Sequence, residues 1–460
     1  MRGTPAIRGR RGELARGCWR TPSLSTIRTA YFIHSSAWGS GEGKFQRISW
    51  DEALDTIECK FNEFRDKYGP ESVIFVQGTG RDINAPLTFL AYAYGSPNLS
   101  QLGLSGQSCY TPRITGSCMV DGTLTVADCS QFFEDRYEDP RWVCPKYIIV
   151  WAQNPTTGCP DGFYGHWVVD CMKRGSKLIV IDPRATWLSS RAEYFLQCRP
   201  GSDGAIALGM INLIIQNEWY DKEFVEKWCY GFDKLKERAA EYTPERVEQL
   251  TWVPREILYQ ATKAYATNRP SAIHWGMPID MNPEATYTAQ AISSLWCITG
   301  NFDVPGGNVA ARGAFGIAMW PINASQVLET YGEEFVKKIN EKRIGAKEYP
   351  YIANTRLYIQ PDLAVEQMLT GKPYPIKGTY IQTSNLLGGN AADLNKHHRA
   401  LMNMEFNVVV DVFHNPTTMA IADIVLPAAC FTERNSIRVW HTPAQAIRKL
   451  TEPRGEARND

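Results

Sequence analysis

The sequence predicts an α/β protein made of two Rossmann-like, doubly wound parallel-sheet domains, one inserted into the other. Three features predict it. Short apolar runs end in polar residues, the clearest being Leu178-Ile179-Val180-Ile181 before Asp182, as in strands covered on both faces. Segments with helical spacing separate these runs, the alternation expected of a parallel sheet. Strands resume at 379–383, 407–411 and 423–427 after a weakly patterned stretch from Arg312 to Gly378. The late strands are therefore read as completing the sheet begun at 73–76. On this reading 43–145 and 345–445 form a split domain, and 146–344 is the insertion.

Residues 1–42 are read as a disordered or aberrant basic leader. The first 40 residues hold seven arginines against one acid, Glu13, and Arg10-Arg11 is not followed by the apolar segment of an export signal. The first helix begins at a capping box, Ser49 with Glu52 three residues on. Leu54, Ile57, Phe61 and Phe64 recur at helical spacing until Gly69-Pro70. The strand 73–76 follows and ends in Gly78-Thr79-Gly80, where backbone N–H groups can approach a phosphate or a pterin edge. A bare turn explains this segment equally well.

A second strand, Tyr147 to Trp151, leads into Gln153-Asn154-Pro155. A helix through His166 to Lys173 and the strand at 178–182 come next. At that strand's end Asp182 can accept hydrogen bonds from a ribose or guanine, and Arg184 can pair with a phosphate. After Gly201, Ser202 or Asp203 is expected to cap a helix running to Gln216. A strand at 272–276, a helix from about Pro283 to Cys297 and a charged helix near 332–343 complete the insertion. His166 and His274 are read as hydrogen-bonded structural histidines.

Composition narrows the function classes. The chain has 460 residues, 44% hydrophobic and 21% charged, with a formal net charge of +0. Such balance gives no field that favours nucleic acid or an anionic membrane. No apolar run approaches the roughly 20 residues of a membrane-spanning helix. The 12 cysteines form no CxxC pair, which suits a reducing compartment or an anaerobic protein better than a disulfide framework. With no clear export signal the expected location is cytoplasmic, with the periplasm the alternative if the true N-terminus is missing. No GxGxxG follows a first strand, which argues against a nicotinamide dehydrogenase.

Several stretches together resemble the catalytic subunits of the dimethyl sulfoxide reductase superfamily, the molybdopterin oxidoreductases. They are ISWDEALD (48–55), VWAQNP (150–155), IDPRAT (181–186) with PGSD (200–203), WCITGNFDVPGGN (296–308) and VDVFHNPTTMAIADIVLPAACFTERN (410–435). The resemblance implies molybdenum or tungsten on two pterin guanine dinucleotides. One arm would lie against Trp151, Gln153, Asn154, Pro155, Asp182, Arg184, Thr186, Gly201, Asp203 and Gly276. The other would lie against Gly78, Gly80, Asn385, Asp411 and Thr417 or Thr418. The metal would take Cys109 as its protein ligand, a soft donor near Arg113, with Ser105 and Ser108 as alternatives. Tyr110 would orient substrate or carry a proton. The segment SGQSCYTPR (105–113) resembles the acetylene hydratase and aromatic dehydroxylase–transhydroxylase branch more than the nitrate or dimethyl sulfoxide reductases.

The pattern also departs from the family's. Relatives begin with a four-cysteine cradle for an iron–sulfur cluster; here only Cys18 precedes Cys59. Residues 446–460 are read as the truncated start of a further domain. The expected partners are a small substrate, aromatic compounds included, and an iron–sulfur electron-transfer subunit, with no nucleic acid and no direct membrane insertion. A catalytically dead fragment or non-catalytic subunit of such an enzyme is the alternative expectation.

Overall fold

A computed structural model describes residues 45–78, 84–101, 103–104, 109, 111–129, 136–158, 164–311, 329–355, 357–429, 436–440 and 442–447. The expected leader, Gly80, Ser105, Ser108 and Tyr110 lie outside the described residues. The strands are β1 (Val73–Gln77), β2 (Leu99–Gln101), β3 (Thr125–Ala127), β4 (Tyr147–Trp151), β5 (Lys177–Ile181), β6 (Tyr194–Leu196), β7 (Ala272–Trp275), β8 (Asn308–Ala310), β9 (Gly378–Gln382), β10 (Phe406–Asp411), β11 (Ile424–Pro427), β12 (Ser436–Trp440) and β13 (Thr442–Ile447).

Two compact units result. One comprises Met1–Gln107, Ala318–Val439 and Ala444–Asp460; the other comprises Ser108–Ile317 and Trp440–Pro443. The first is built on a parallel sheet of order β11-β10-β9-β1-β2. Every residue of β1 is buried, because the sheet is covered on both faces. Phe61 meets Phe75 and Phe406 edge-on on one side, while Ile74 and Val76 join Val365, Ile381 and Val409 on the other. The Trp50–Tyr68 helix starts as its capping residue dictates, with Ser49 Oγ accepting from Glu52 N at 3.1 Å. Its buried stripe is Ala53, Ile57, Phe61 and Phe64, whereas Leu54 is exposed.

The second unit holds a parallel sheet of order β6-β5-β4-β7. Ile149 and Trp151 pack with Met210, Ile214 and Trp296 on one face; Ile148 and Val150 pack with Trp167 and Cys171 on the other. The unit boundaries fall at 107/108 and 317/318 rather than at the expected 145/146 and 344/345. Two long-range contacts account for the first shift. β3 pairs antiparallel with β8, and the Thr111–Asp121 helix lies against the Ala285–Ile298 helix. Gly116 permits that approach, since a Cβ there would stand 2.6 Å from Ala289 Cβ and 2.7 Å from Thr286 O. The expected cap of the Asp203–Gln216 helix is also different. Ser202 Oγ donates to Arg199 O at 2.6 Å, so its side chain caps nothing.

Candidate nucleotide and cofactor sites

In the second unit the chain moves outward from β4 through β5 to β6, then returns to place β7 on the other side of β4. In the first unit it moves outward from β9 through β10 to β11, with β1 and β2 on the other side of β9. Each sheet thus has one point where the winding reverses, β4/β7 and β9/β1. Ligands of open parallel sheets bind beyond the carboxyl ends of the strands at such a point.

The two reversal points are built alike. Gly276, after β7, donates its N–H to Trp151 O at 2.9 Å, and a Cβ on it would stand 2.0 Å from Ala152 O. Gly78, after β1, donates to Gln382 O at 2.9 Å, and a Cβ on it would stand 1.9 Å from Thr383 O. Only glycine tolerates such backbone contact. Opposite each glycine stands a residue with positive φ, Ala152 at 46° and Thr383 at 51°. Backbone strain of this kind is concentrated at functional sites. The next strand is tied identically: Ala152 N donates to Ile181 O at 2.8 Å, and Thr383 N to Val410 O at 3.0 Å. One residue further, Asp182 Oδ1 accepts from Arg184 N at 2.8 Å, and Asp411 Oδ1 from Phe413 N at 3.0 Å. Gly276, Ala152, Asn154 and Asp182 therefore correspond to Gly78, Thr383, Asn385 and Asp411.

Most of the other residues expected from sequence collect on these turns. Asn154 accepts from Thr156 Oγ1 at 3.1 Å, and Gln153 Oε1 accepts from Asn154 N at 3.2 Å. Pro155 is buried, while Arg184 is exposed. Thr186 and Ser189 exchange reciprocal hydrogen bonds that fix the turn after Asp182. In the first unit Thr417 Oγ1 donates to Asn385 Oδ1 at 2.9 Å and accepts from Leu387 N. Asn415 joins Asp411 Oδ2 to Thr418 N, at 2.8 and 3.0 Å. Burial raises the Asp411 carboxyl above the usual carboxylate range, against lowering by Phe413, Val412 and Asn415. Asp203 is buried and accepts from Trp151 Nε1 at 2.8 Å; burial raises its pKa too, and the indole opposes this. Gly201 has φ of 79° just ahead of it.

Cys109 is half-buried and sits two residues before the Thr111–Asp121 helix. Arg113 anchors that helix: its N and Nε donate to Asp280 at 2.9 and 2.7 Å, and Nη1 donates to Trp275 O at 2.9 Å. The cation expected to ionise Cys109 is thus already matched by a buried carboxylate. For His166 and His274 the expected hydrogen bonding is not met at Nε2, which is buried with no partner in each. Burial holds His274 at about 3, with Arg113 pushing the same way, and Tyr164 stacks on its ring at 4.3 Å.

A family model described as molybdopterin oxidoreductase matches residues 4–460. The chain belongs to that family. Among similar molybdopterin oxidoreductases and related enzymes, acetylene hydratase of Syntrophotalea acetylenica is 31% identical over 480 residues, covering 96% of this chain and 62% of its own length. Formate dehydrogenase H of Escherichia coli is 25% identical over 428 residues, covering 91% and 57%. The solved acetylene hydratase from Pelobacter acetylenicus superposes with a TM-score of 0.82 at 27% identity, covering 96% of this chain and 61% of that one. The chain therefore spans about three fifths of the length of these relatives. The mixed α/β fold with parallel sheets is the one that this family uses.

Family membership implies a molybdenum or tungsten pterin cofactor, and the chain's own residues fit one. Two turns at the reversal points have a glycine where a Cβ would meet a neighbouring carbonyl, leaving bare backbone where a flat ligand would lie. Two buried polar atoms at the first turn, Gln77 Oε1 and Thr383 Oγ1, have no partner. Among the described residues no group of three His, Cys, Asp or Glu could hold a metal ion. Sequence reading missed Gln77, Thr383, Asn415 and Asp280. The repeated signature was visible, however: a strand followed by Gln153-Asn154 or Ser384-Asn385, then a strand ending in Asp.

Proposed function

We propose that this molybdopterin oxidoreductase holds molybdenum or tungsten on two pterin guanine dinucleotides, one arm at each reversal point. Its reaction is a two-electron oxygen-atom, hydroxyl or hydride transfer on a small substrate, with aromatic compounds a class to test. The doubled turn carries this reading: two glycines against two positive-φ residues, each followed by an asparagine and an aspartate, serve two like ligand arms. When bound, the group supplies two-electron redox and Lewis-acid chemistry.

The chain's residues bind and orient. Asp182 and Asp411 accept from ribose hydroxyls or guanine N–H groups. Arg184 pairs with phosphate on the second unit's arm. The Thr186 hydroxyl stands at the turn after Asp182 to meet a phosphate oxygen, while the buried Thr417 and Thr418 fix Asn385 and Asn415 through their hydrogen bonds. Cys109 supplies a soft sulfur, and the dipole of the helix beyond it favours negative charge at that end. Tyr110, next in sequence, orients substrate or moves a proton at its phenol oxygen. An iron–sulfur subunit is the proposed electron partner.

Protein made anaerobically in a cofactor-competent host should release metal and guanine in a ratio of about one to two. Metal-free, guanine-free protein from that host would overturn the proposal. Cys109→Ala should abolish turnover of the loaded enzyme while the far-ultraviolet circular dichroism stays unchanged. Retained turnover would move the ligand to another residue, with Ser105 and Ser108 first in line.

A further inference from the structure

Gln77 ends β1 with its side chain 1% exposed, yet its Oε1 has no hydrogen-bond partner. Thr383 carries a second buried oxygen in the same condition, Oγ1. The two flank one turn. Gln77 precedes Gly78, and Thr383 Oγ1 lies 3.3 Å from where a Gly78 side chain would begin. Each unpaired buried group carries an uncompensated desolvation cost, and the positive φ of a β-branched residue adds backbone strain. These costs converge at one turn, at the reversal point of one sheet. Such convergence signals a ligand that supplies the missing partners.

The corresponding turn of the second unit lacks this feature. Trp275 stands where Gln77 stands, directly before the glycine, and Ala152 stands where Thr383 stands. The backbones match, but only the first unit has unpartnered side-chain oxygens at these two positions. The two turns therefore do not recognise their ligands in the same way.

We propose that Gln77 and Thr383 form a polar reading pair for the amino-pyrimidinone edge, the N–H-rich face common to pterin and guanine. The inference rests on the proposed function and adds which unit recognises that edge through side chains. Gln77 presents an amide, whose carbonyl accepts from the ring's N–H groups. Thr383 Oγ1 accepts a further N–H or donates to the ring carbonyl. On the second unit, where Trp275 and Ala152 hold these two positions, this pair of contacts has no counterpart.

The test uses Gln77→Leu and Thr383→Val in the full chain, each close in shape to the original. Cofactor-free protein is melted first. A side chain that waits for a ligand gives nothing to the empty fold, so its apolar replacement should leave the thermal midpoint unchanged or raise it. A lower midpoint in both variants would assign these residues a structural role and overturn the inference. Pterin and guanine retained after anaerobic gel filtration are then measured on protein from the cofactor-competent host. Gln77→Leu should bind about tenfold more weakly, the loss of one buried hydrogen bond. Equal retention by wild type and variant would sink the inference and leave the proposed function standing. A wild type that retains neither group would remove both. Titration of the empty proteins with GDP separates the two sources. Weaker GDP binding by Gln77→Leu assigns a guanine edge; unchanged GDP binding with lost retention assigns a pterin edge.

Discussion

Arg113 and Asp280 are both almost fully buried, with side chains 4% and 0% exposed, and the guanidinium also reaches Trp275 O. Burying two charges costs several kcal/mol per ion before their attraction repays it, so the pair is weak evidence of net stabilisation. Its value is orientation. It ties the start of the helix that follows Cys109 to the backbone just before Gly276. Removing one partner is a different matter from removing both. Asp280→Ala leaves a guanidinium without its countercharge and should cost about 3–5 kcal/mol. The double substitution Arg113→Met with Asp280→Leu should cost clearly less, as urea unfolding would show. A double variant weaker than the Asp280→Ala single would contradict this account and make the ion pair a true source of stability.

Between strands, the same accounting yields a pH dependence. Asp423 lies just before β11, and Asn407, early in β10, donates its N–H to Asp423 Oδ2 at 2.7 Å. Burial raises the carboxyl to about 6 although that hydrogen bond opposes the shift. The unfolded chain releases this proton near 4, while the fold keeps it until about 6. Between those values the native state binds more protons than the unfolded state, so stability falls as pH rises and levels off above about 6. Asp423→Asn keeps an acceptor and removes the titration. The wild-type-minus-variant difference in unfolding free energy should decline by about 1–3 kcal/mol across that window; a flat difference would refute the assignment. How far the fold was legible follows from the range of the interactions involved. The capping box at Ser49 and the strands at 73–77, 147–151 and 177–181 were readable because period and capping are local. The 107/108 boundary was not, since it depends on β3 meeting β8 across about 180 residues. Leu54 shares the helical spacing yet is exposed, because spacing alone does not choose between the rows starting at 53 and 54. Asp182 and Asp411 stood out as carboxylates at strand ends. Gln77 and Thr383 did not, because their meaning lies in missing partners and in a backbone angle imposed by the neighbouring strand.

At the scale of the whole chain, two units of different connectivity arrive at one turn geometry. In one, the glycine follows the last strand of a continuous sheet. In the other it follows the first strand of a sheet completed some 300 residues later. What persists is the reversal of winding and the contact it imposes: glycine against carbonyl, then asparagine, then aspartate. If each turn serves its own ligand arm, the two should fail separately. Gly276→Ala places a Cβ 2.0 Å from Ala152 O, and Gly78→Ala places one 1.9 Å from Thr383 O. Either carbonyl must shift, and the close approach of backbone to ligand is lost. Each single variant should therefore retain about half the guanine of wild type, and the double variant almost none, since sites without shared partners add. Circular dichroism and unfolding midpoints of the empty proteins would establish that both units still fold. A single variant that lost all its guanine would show that the arms bind as one cooperative group. A double variant no worse than either single would show that one of the two turns holds no nucleotide.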